Sequence, residues 1–132
     1  MIKVLIVDDN ADVRKGLNMI IASKPDMTVT SIAENGASAL SILEKDRTID
    51  IALIDFNMPG MDGIELTRRI TASDHPVRII ILTMHRQIIF RDKALEAGAR
   101  GYLLKGEELE ELFKGIRAVY EGNLFVSSGF AI

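Results

Sequence analysis

A chain of 132 residues is sized for one domain, and with 48% apolar and 27% charged residues it can bury a core that needs no staples. It has no cysteine, which excludes disulfides and thiolate metal sites and fits a cytoplasmic protein. Sixteen basic against nineteen acidic residues leave a net charge of −3, which excludes a general pull toward nucleic acid or an anionic membrane.

Taken in order, the chain opens on Ile2 to Val7, a short apolar run that reads as a strand buried on both faces, so no secretory leader is expected. Asp8 and Asp9 stand at its exit. A helical stretch follows, with Val13, Leu17, Ile20 and Ile21 on one face. The second run, Met27 to Ala33, ends in Glu34-Asn35-Gly36, which carries no comparable chemistry and suits a strand at the sheet edge. Ala37, Leu40 and Leu43 mark the second helix. The third run, Ile51 to Ile54, is followed by Asp55 and then by Phe56-Asn57-Met58-Pro59-Gly60-Met61-Asp62-Gly63. Ile64, Leu66 and Ile70 mark the next helix more loosely. Val77 to Leu82 is the fourth run, with Thr83 at its exit and a helix predicted from about Arg86 to Ala97. Gly101 to Leu104 is the fifth, with Lys105 at its exit, and Leu109, Leu112, Ile116 and Val119 make the clearest helical stripe. Glu121 to Ile132 contains Gly and Ser and has no helical period. The expected organisation is therefore one domain over residues 1–121 and the start of a linker, or a short tail, over 122–132. The exposed basic clusters, Arg68-Arg69 and Arg86 with Arg91, read as solvated helix faces. No apolar run reaches bilayer-spanning length.

Strand and helix alternate five times, the signature of a parallel sheet wrapped by helices. A repeat of roughly 25 residues would also suit a solenoid, but the units share no sequence pattern. In an open α/β sheet, ligands bind at the carboxyl ends of the strands. Three carboxylates (Asp8, Asp9, Asp55), one hydroxyl (Thr83) and one ammonium (Lys105) should thus converge on one edge. Clustered carboxylates repel one another unless a cation sits among them. Oxygen donors without His or Cys favour Mg²⁺ over zinc, and Mg²⁺ held by few carboxylates leaves positions for water and a phosphate. Lys105 and Thr83 suit that phosphate by charge and by hydrogen bond, and an Asp can act as a nucleophile toward phosphorus. Taken singly, each feature has a plainer reading. Asp8-Asp9 and Thr83 would cap the helices that follow, Asp55 would end a strand, Lys105 would complement a helix, and Pro59-Gly60 would be an ordinary turn. The plainer readings do not explain why all these residues fall at strand exits on one edge.

The segments Val4-Leu5-Ile6-Val7-Asp8-Asp9, Asp55 through Gly63, Ile80-Ile81-Leu82-Thr83 and Gly101-Tyr102-Leu103-Leu104-Lys105 resemble the receiver domain of two-component response regulators. The resemblance covers roughly residues 2 to 121, with every landmark in order. It implies a doubly wound five-stranded parallel sheet of strand order 2-1-3-4-5, the order the flavodoxin-like folds share. It further implies Asp55 as phosphoacceptor, Mg²⁺ bound by Asp9 and Asp55, by Asp8 through water and by the backbone carbonyl of Asn57, and Thr83 and Lys105 on the phosphoryl oxygens. Tyr102 matches an aromatic switch position whose ring turns inward when Thr83 moves toward the phosphate. The stretches Thr83-Met84-His85, Ala94 to Gly101 and Gly122 to Ser127 are closest to the subfamily that carries a LuxR/NarL-type helix-turn-helix domain after such a linker. The implied partners are a sensor histidine kinase, DNA only through that further domain, and a second copy on phosphorylation. Arg86 and Arg91 facing Glu107, Glu108, Glu110 and Glu111 across a two-fold axis are one candidate dimer face, and the first helix with the fifth strand is another.

Two departures stand out. Met84 replaces the small residue common after the Thr, and Gly106 replaces the Pro that often follows the Lys, so no cis-proline is expected there. A hydrolase with an Asp nucleophile would need a second carboxylate two residues on, where this chain has Asn57. A flavodoxin-like cofactor carrier would need a phosphate loop at the acidic first strand exit. The full set of Asp8, Asp9, Asp55, Thr83 and Lys105 argues against a degenerate receiver used only for contacts.

Overall fold

The computed structural model of the protein describes residues 1–127. Its sheet has the strands β1 (Ile2–Val7), β2 (Met27–Ala33), β3 (Ile51–Asp55), β4 (Arg78–Thr83), β5 (Gly101–Leu104) and β6 (Phe125–Val126), all paired in parallel in the order β2-β1-β3-β4-β5-β6. The helices are α1 (Ala11–Ala22), α2 (Gly36–Lys45), α3 (Gly63–Ala72), α4 (Ile88–Ala97) and α5 (Leu109–Tyr120). The doubly wound order 2-1-3-4-5 is present, with β2 at one edge as expected.

The β-branched and leucine runs form strands because both faces of the sheet are covered. On one face, Leu5, Val7, Ala52, Ile54, Ile79, Ile81 and Tyr102 pack with Ala39 and Leu43 of α2, Ile64, Leu66 and Ile70 of α3 and Ala94 and Ala97 of α4. On the other, Val4, Ile6, Ile51, Leu53, Ile80 and Leu103 pack with Ile21 of α1 and Leu112, Phe113, Ile116 and Val119 of α5. Each Val, Leu, Ile or Phe among them contributes about 1.5–3 kcal/mol when taken out of water. None of the described helices is long and apolar enough to cross a membrane.

Three local differences from the sequence reading matter for the site. Asp55 and Thr83 are the last residues of β3 and β4, in register with Leu82 and Leu104, instead of the residues just beyond them. Helix α4 begins at Ile88, because Gln87 is still extended (φ −74°, ψ 136°). The stretch read as the start of a linker or a short tail adds a sixth strand. Gly122, at φ 98°, ends α5 by donating to the Val119 carbonyl, Asn123 donates to Ala118, and Phe125 then reaches the Arg100 carbonyl. Leu124-Phe125-Val126 is too short to carry a period, so only the sheet edge it meets reveals the strand. Residues 128–132 of that predicted linker lie outside the described residues.

Candidate functional site

The sheet brings all five strand-exit residues to its carboxyl edge. Asp8 is 2% exposed, Asp55 is 6% exposed and Thr83 is fully buried, whereas Asp9 is exposed. One oxygen from each of Asp8, Asp9 and Asp55 lies within 4.8 Å of the others. Lys105 Nζ donates to Asp55 Oδ1 at 2.8 Å and stands 3.7 Å from Asp8 Oδ2. The plainer helix-cap readings do not hold. Asn10 caps α1 by accepting from the Asp12 and Val13 amides, and α4 starts at Gln87 without a side-chain cap, so Asp8, Asp9 and Thr83 are not spent on helix ends.

Local hydrogen bonds hold these groups in place. The Asn10 amide donates to Asp8 Oδ1 at 2.9 Å, and Arg14 Nη1 donates to the Asp8 carbonyl at 2.7 Å. The Lys105 amide donates to the Thr83 carbonyl at 2.7 Å, which ties the two clamp residues together through the β4–β5 pairing. Gly63 opens α3 directly beneath the site. A Cβ there would stand 2.6 Å from the Asp55 carbonyl oxygen, so the close approach of helix to strand end requires glycine. Asp62 caps α3 by accepting from the Glu65 amide.

Burial pushes the Asp55 carboxyl above the ordinary carboxylate value, and the Asp8 charge pushes it further the same way; the Lys105 ammonium and the Asn57 amide pull it back. Asp8 Oδ2 is buried and receives no hydrogen bond. A buried, unsatisfied carboxylate oxygen beside two further carboxylates is an arrangement a hard cation relieves, and the oxygen-only donor set fits Mg²⁺. Tyr102 is fully buried on β5. Burial raises its phenol, and a hydrogen bond with the Thr83 side chain acts in the opposite sense.

Sequence reasoning assigned no role to His85. Its amide donates to Thr83 Oγ1 at 2.9 Å, its ring lies 4.8 Å from Phe56 and 4.5 Å from Phe90 between centroids, and its Nε2 lies 3.4 Å from the Asn57 side-chain amide. It thereby joins the loops after β3 and β4. The three aromatics come from separate segments, so nothing in the local sequence marked them as a group. Met84 projects outward, 67% exposed. Arg68 and Arg69 both face Glu65 on α3, and Arg91 bonds its neighbour Asp92.

A family model described as "Response regulator receiver domain" matches residues 4–117. Response regulator UvrY of Escherichia coli (strain K12) is 38% identical over 131 residues, which are 99% of this chain and 60% of that protein. Response regulator GacA of Pseudomonas aeruginosa is 35% identical over 131 residues, again 99% of this chain and 61% of that protein. The chain thus spans about 60% of the length of the curated relatives it matches. Among solved structures, a LuxR-family two-component response regulator from Aurantimonas sp. SI85-9A1 superposes with a TM-score of 0.91 at 36% identity, over 96% of this chain and 89% of that one.

Proposed function

Since the chain belongs to the response regulator receiver domain family, we propose that it is a signalling switch in which Asp55 takes a phosphoryl group from a sensor histidine kinase. The observation that carries this reading is the 2.8 Å contact of Lys105 Nζ with Asp55 Oδ1, within a cluster of three carboxylates whose oxygens lie within 4.8 Å of one another. In the transfer, a carboxylate oxygen of Asp55 forms a bond to phosphorus while the bond from phosphorus to the donor's imidazole nitrogen breaks and the imidazole leaves. Positioning and electrostatics supply most of the acceleration in such transfers. Asp8, Asp9, Asp55 and the Asn57 carbonyl are the groups that would hold Mg²⁺, which when bound neutralises charge on the phosphoryl oxygens. Lys105 neutralises a second part of that charge, and Thr83 offers its hydroxyl as a hydrogen-bond donor. The same groups would assist hydrolysis of the acyl phosphate, so the switch resets itself.

A phosphoryl group adds about −1.5 to −2 charge at the site. Drawing the Thr83 hydroxyl toward that charge would exchange its contact with the Tyr102 hydroxyl for one with phosphate, and so couple Asp55 to β5. Output would pass to a DNA-binding domain following residues 1–121, in a cytoplasmic transcription regulator, with homodimerisation on phosphorylation. Residues 1–132 alone, at a net charge of −3, would hold neither DNA nor membrane.

Intact-mass measurement after treatment with acetyl phosphate and Mg²⁺ tests the assignment. One phosphoryl adduct should appear on the wild type and none on Asp55→Asn. An adduct at wild-type yield on the variant would sink it.

A further inference from the structure

The segment after α5 has no part in the switch described above, yet it is fastened beside it. Phe125 donates its amide to the Arg100 carbonyl and Ser127 donates its amide to the Tyr102 carbonyl, each at 3.0 Å. The Ser127 hydroxyl, on a side chain only 3% exposed as a residue, accepts from the Leu104 amide at 3.2 Å. The Phe125 ring packs into the core against Gly115, where a Cβ would stand 3.2 Å from it. The strap is therefore anchored in three ways, by an apolar plug against α5 and by a backbone ladder and a buried hydroxyl along β5.

Two of the anchoring points adjoin the site: Tyr102, and Leu104, which precedes Lys105. Successive amides at the end of β5 turn to opposite sides: Leu104 bonds Ser127, and Lys105 bonds the Thr83 carbonyl. The strand end that carries the Lys105 clamp is thus held between β4 and the strap. Val126 is the register partner of Tyr102, so both side chains lie on the same face of the sheet. The docked strap stands alongside the buried Tyr102 ring, on the side of β5 that faces away from the rest of the sheet.

We propose that Phe125–Ser127 is a strap whose docking on β5 is energetically coupled to occupancy of the Asp55 site, each favouring the other, so that phosphorylation is reported directly to whatever follows residue 127. The inference rests on Asp55 being the phosphoacceptor. Coupling between two sites is reciprocal: if a filled site tightens the strap, a loosened strap weakens binding at the site by the same factor.

The test uses the whole 132-residue chain, Mg²⁺ and beryllofluoride as the phosphoryl mimic, with amide hydrogen exchange followed residue by residue. Filling the site should slow exchange at the Leu104 and Ser127 amides by roughly three- to tenfold, the range one neutral hydrogen bond spans. Ser127→Ala, which keeps the backbone, should weaken beryllofluoride binding by a similar factor, and Ser127→Thr, which keeps a hydroxyl, should restore it. Ser127→Pro, which also deletes the bond to Tyr102, should weaken binding further while far-ultraviolet circular dichroism stays native. Binding with unchanged exchange at Leu104 and Ser127, or wild-type affinity in both Ser127→Ala and Ser127→Pro, overturns the coupling and leaves the phosphoacceptor assignment standing. Failure of the wild type to bind beryllofluoride overturns both.

Discussion

Asp55 is enclosed at the end of β3, and burial is the largest influence on its proton. Because the carboxyl is raised above 3.8, the folded chain holds that proton more tightly than the unfolded chain does. The stability attached to it is fully present below 3.8 and is lost as pH rises through the folded value. Asp55→Asn removes the charge, so the metal-free variant should melt above the wild type at neutral pH, and the gap should close on acidification. Thermal melts in chelator at a series of pH values check this, and a variant that melts lower at neutral pH would show that Lys105 pairing outweighs burial. Asp9, by contrast, is exposed, and its carboxylate oxygen lies within 4.8 Å of those of Asp8 and Asp55, where the proposed Mg²⁺ would use it. Asp9→Ala should leave the circular dichroism unchanged and abolish most Mg²⁺-dependent phosphorylation. Mg²⁺ affinity, measured by titration calorimetry, should fall as pH falls and carboxylates protonate. Normal phosphorylation of Asp9→Ala at low millimolar Mg²⁺ would place the metal elsewhere.

At the scale of elements, the site depends on how closely α3 can approach β3. Gly63 permits the Asp55 carbonyl to lie against the first turn of α3. Gly63→Ala should push helix and strand end apart, destabilising the protein by about 1–3 kcal/mol, as overpacking in close-packed interiors does. It should slow phosphorylation as well, because the Asp55 side chain moves with its carbonyl. Asn35→Ala is the matching control. It removes the cap of α2 that accepts from the Ser38 amide, away from the site, and should lower stability by about 1 kcal/mol. Urea unfolding of the two variants, alongside their phosphorylation rates, separates an effect on the site from an effect on stability. Equal rates in both would mean that the Gly63 contact serves the fold alone.

For the whole molecule, the sixth strand changes what a dimer face can be. The outer edge of β5 is occupied by β6, so an interface built on α4 and β5 must include Phe125–Val126. Arg91, one of the charges expected to pair across a two-fold axis, bonds Asp92 within its own helix at 3.1 Å. Exposed pairs of this kind contribute only about 0–1 kcal/mol each, so exchanging Asp92 for a glutamate of α5 on a second copy is nearly neutral in energy. Self-association on phosphorylation should accordingly be weak. Sedimentation with and without beryllofluoride should show a monomer shifting toward dimer only at high concentration. An unchanged monomer at hundreds of micromolar would mean that output passes through the strap and the following domain instead.

The strands were legible in the sequence as short stretches rich in apolar and β-branched residues, and both the nearly wholly buried Ile2–Val7 and the edge strand Met27–Ala33, buried only at its ends, have the predicted bounds. The parallel sheet followed from the regular alternation, which with right-handed crossovers leaves few topologies, while its order 2-1-3-4-5 was what the resemblance to receiver domains implied. The set Asp8, Asp9, Asp55, Thr83 and Lys105 was legible for the same reason, because parallel strands all deliver their exits to one edge. What only the tertiary structure decided was which of these groups meet and how deeply. Lys105 reaches Asp55 across 50 residues of sequence, and the Leu104 amide reaches Ser127 across 23. The Phe56–His85–Phe90 cluster likewise joins two loops and a helix. Contacts over such separations are set by strand register and helix packing, which no local period records. A two-residue strand such as Phe125–Val126 exists only because β5 offers it an unpaired edge.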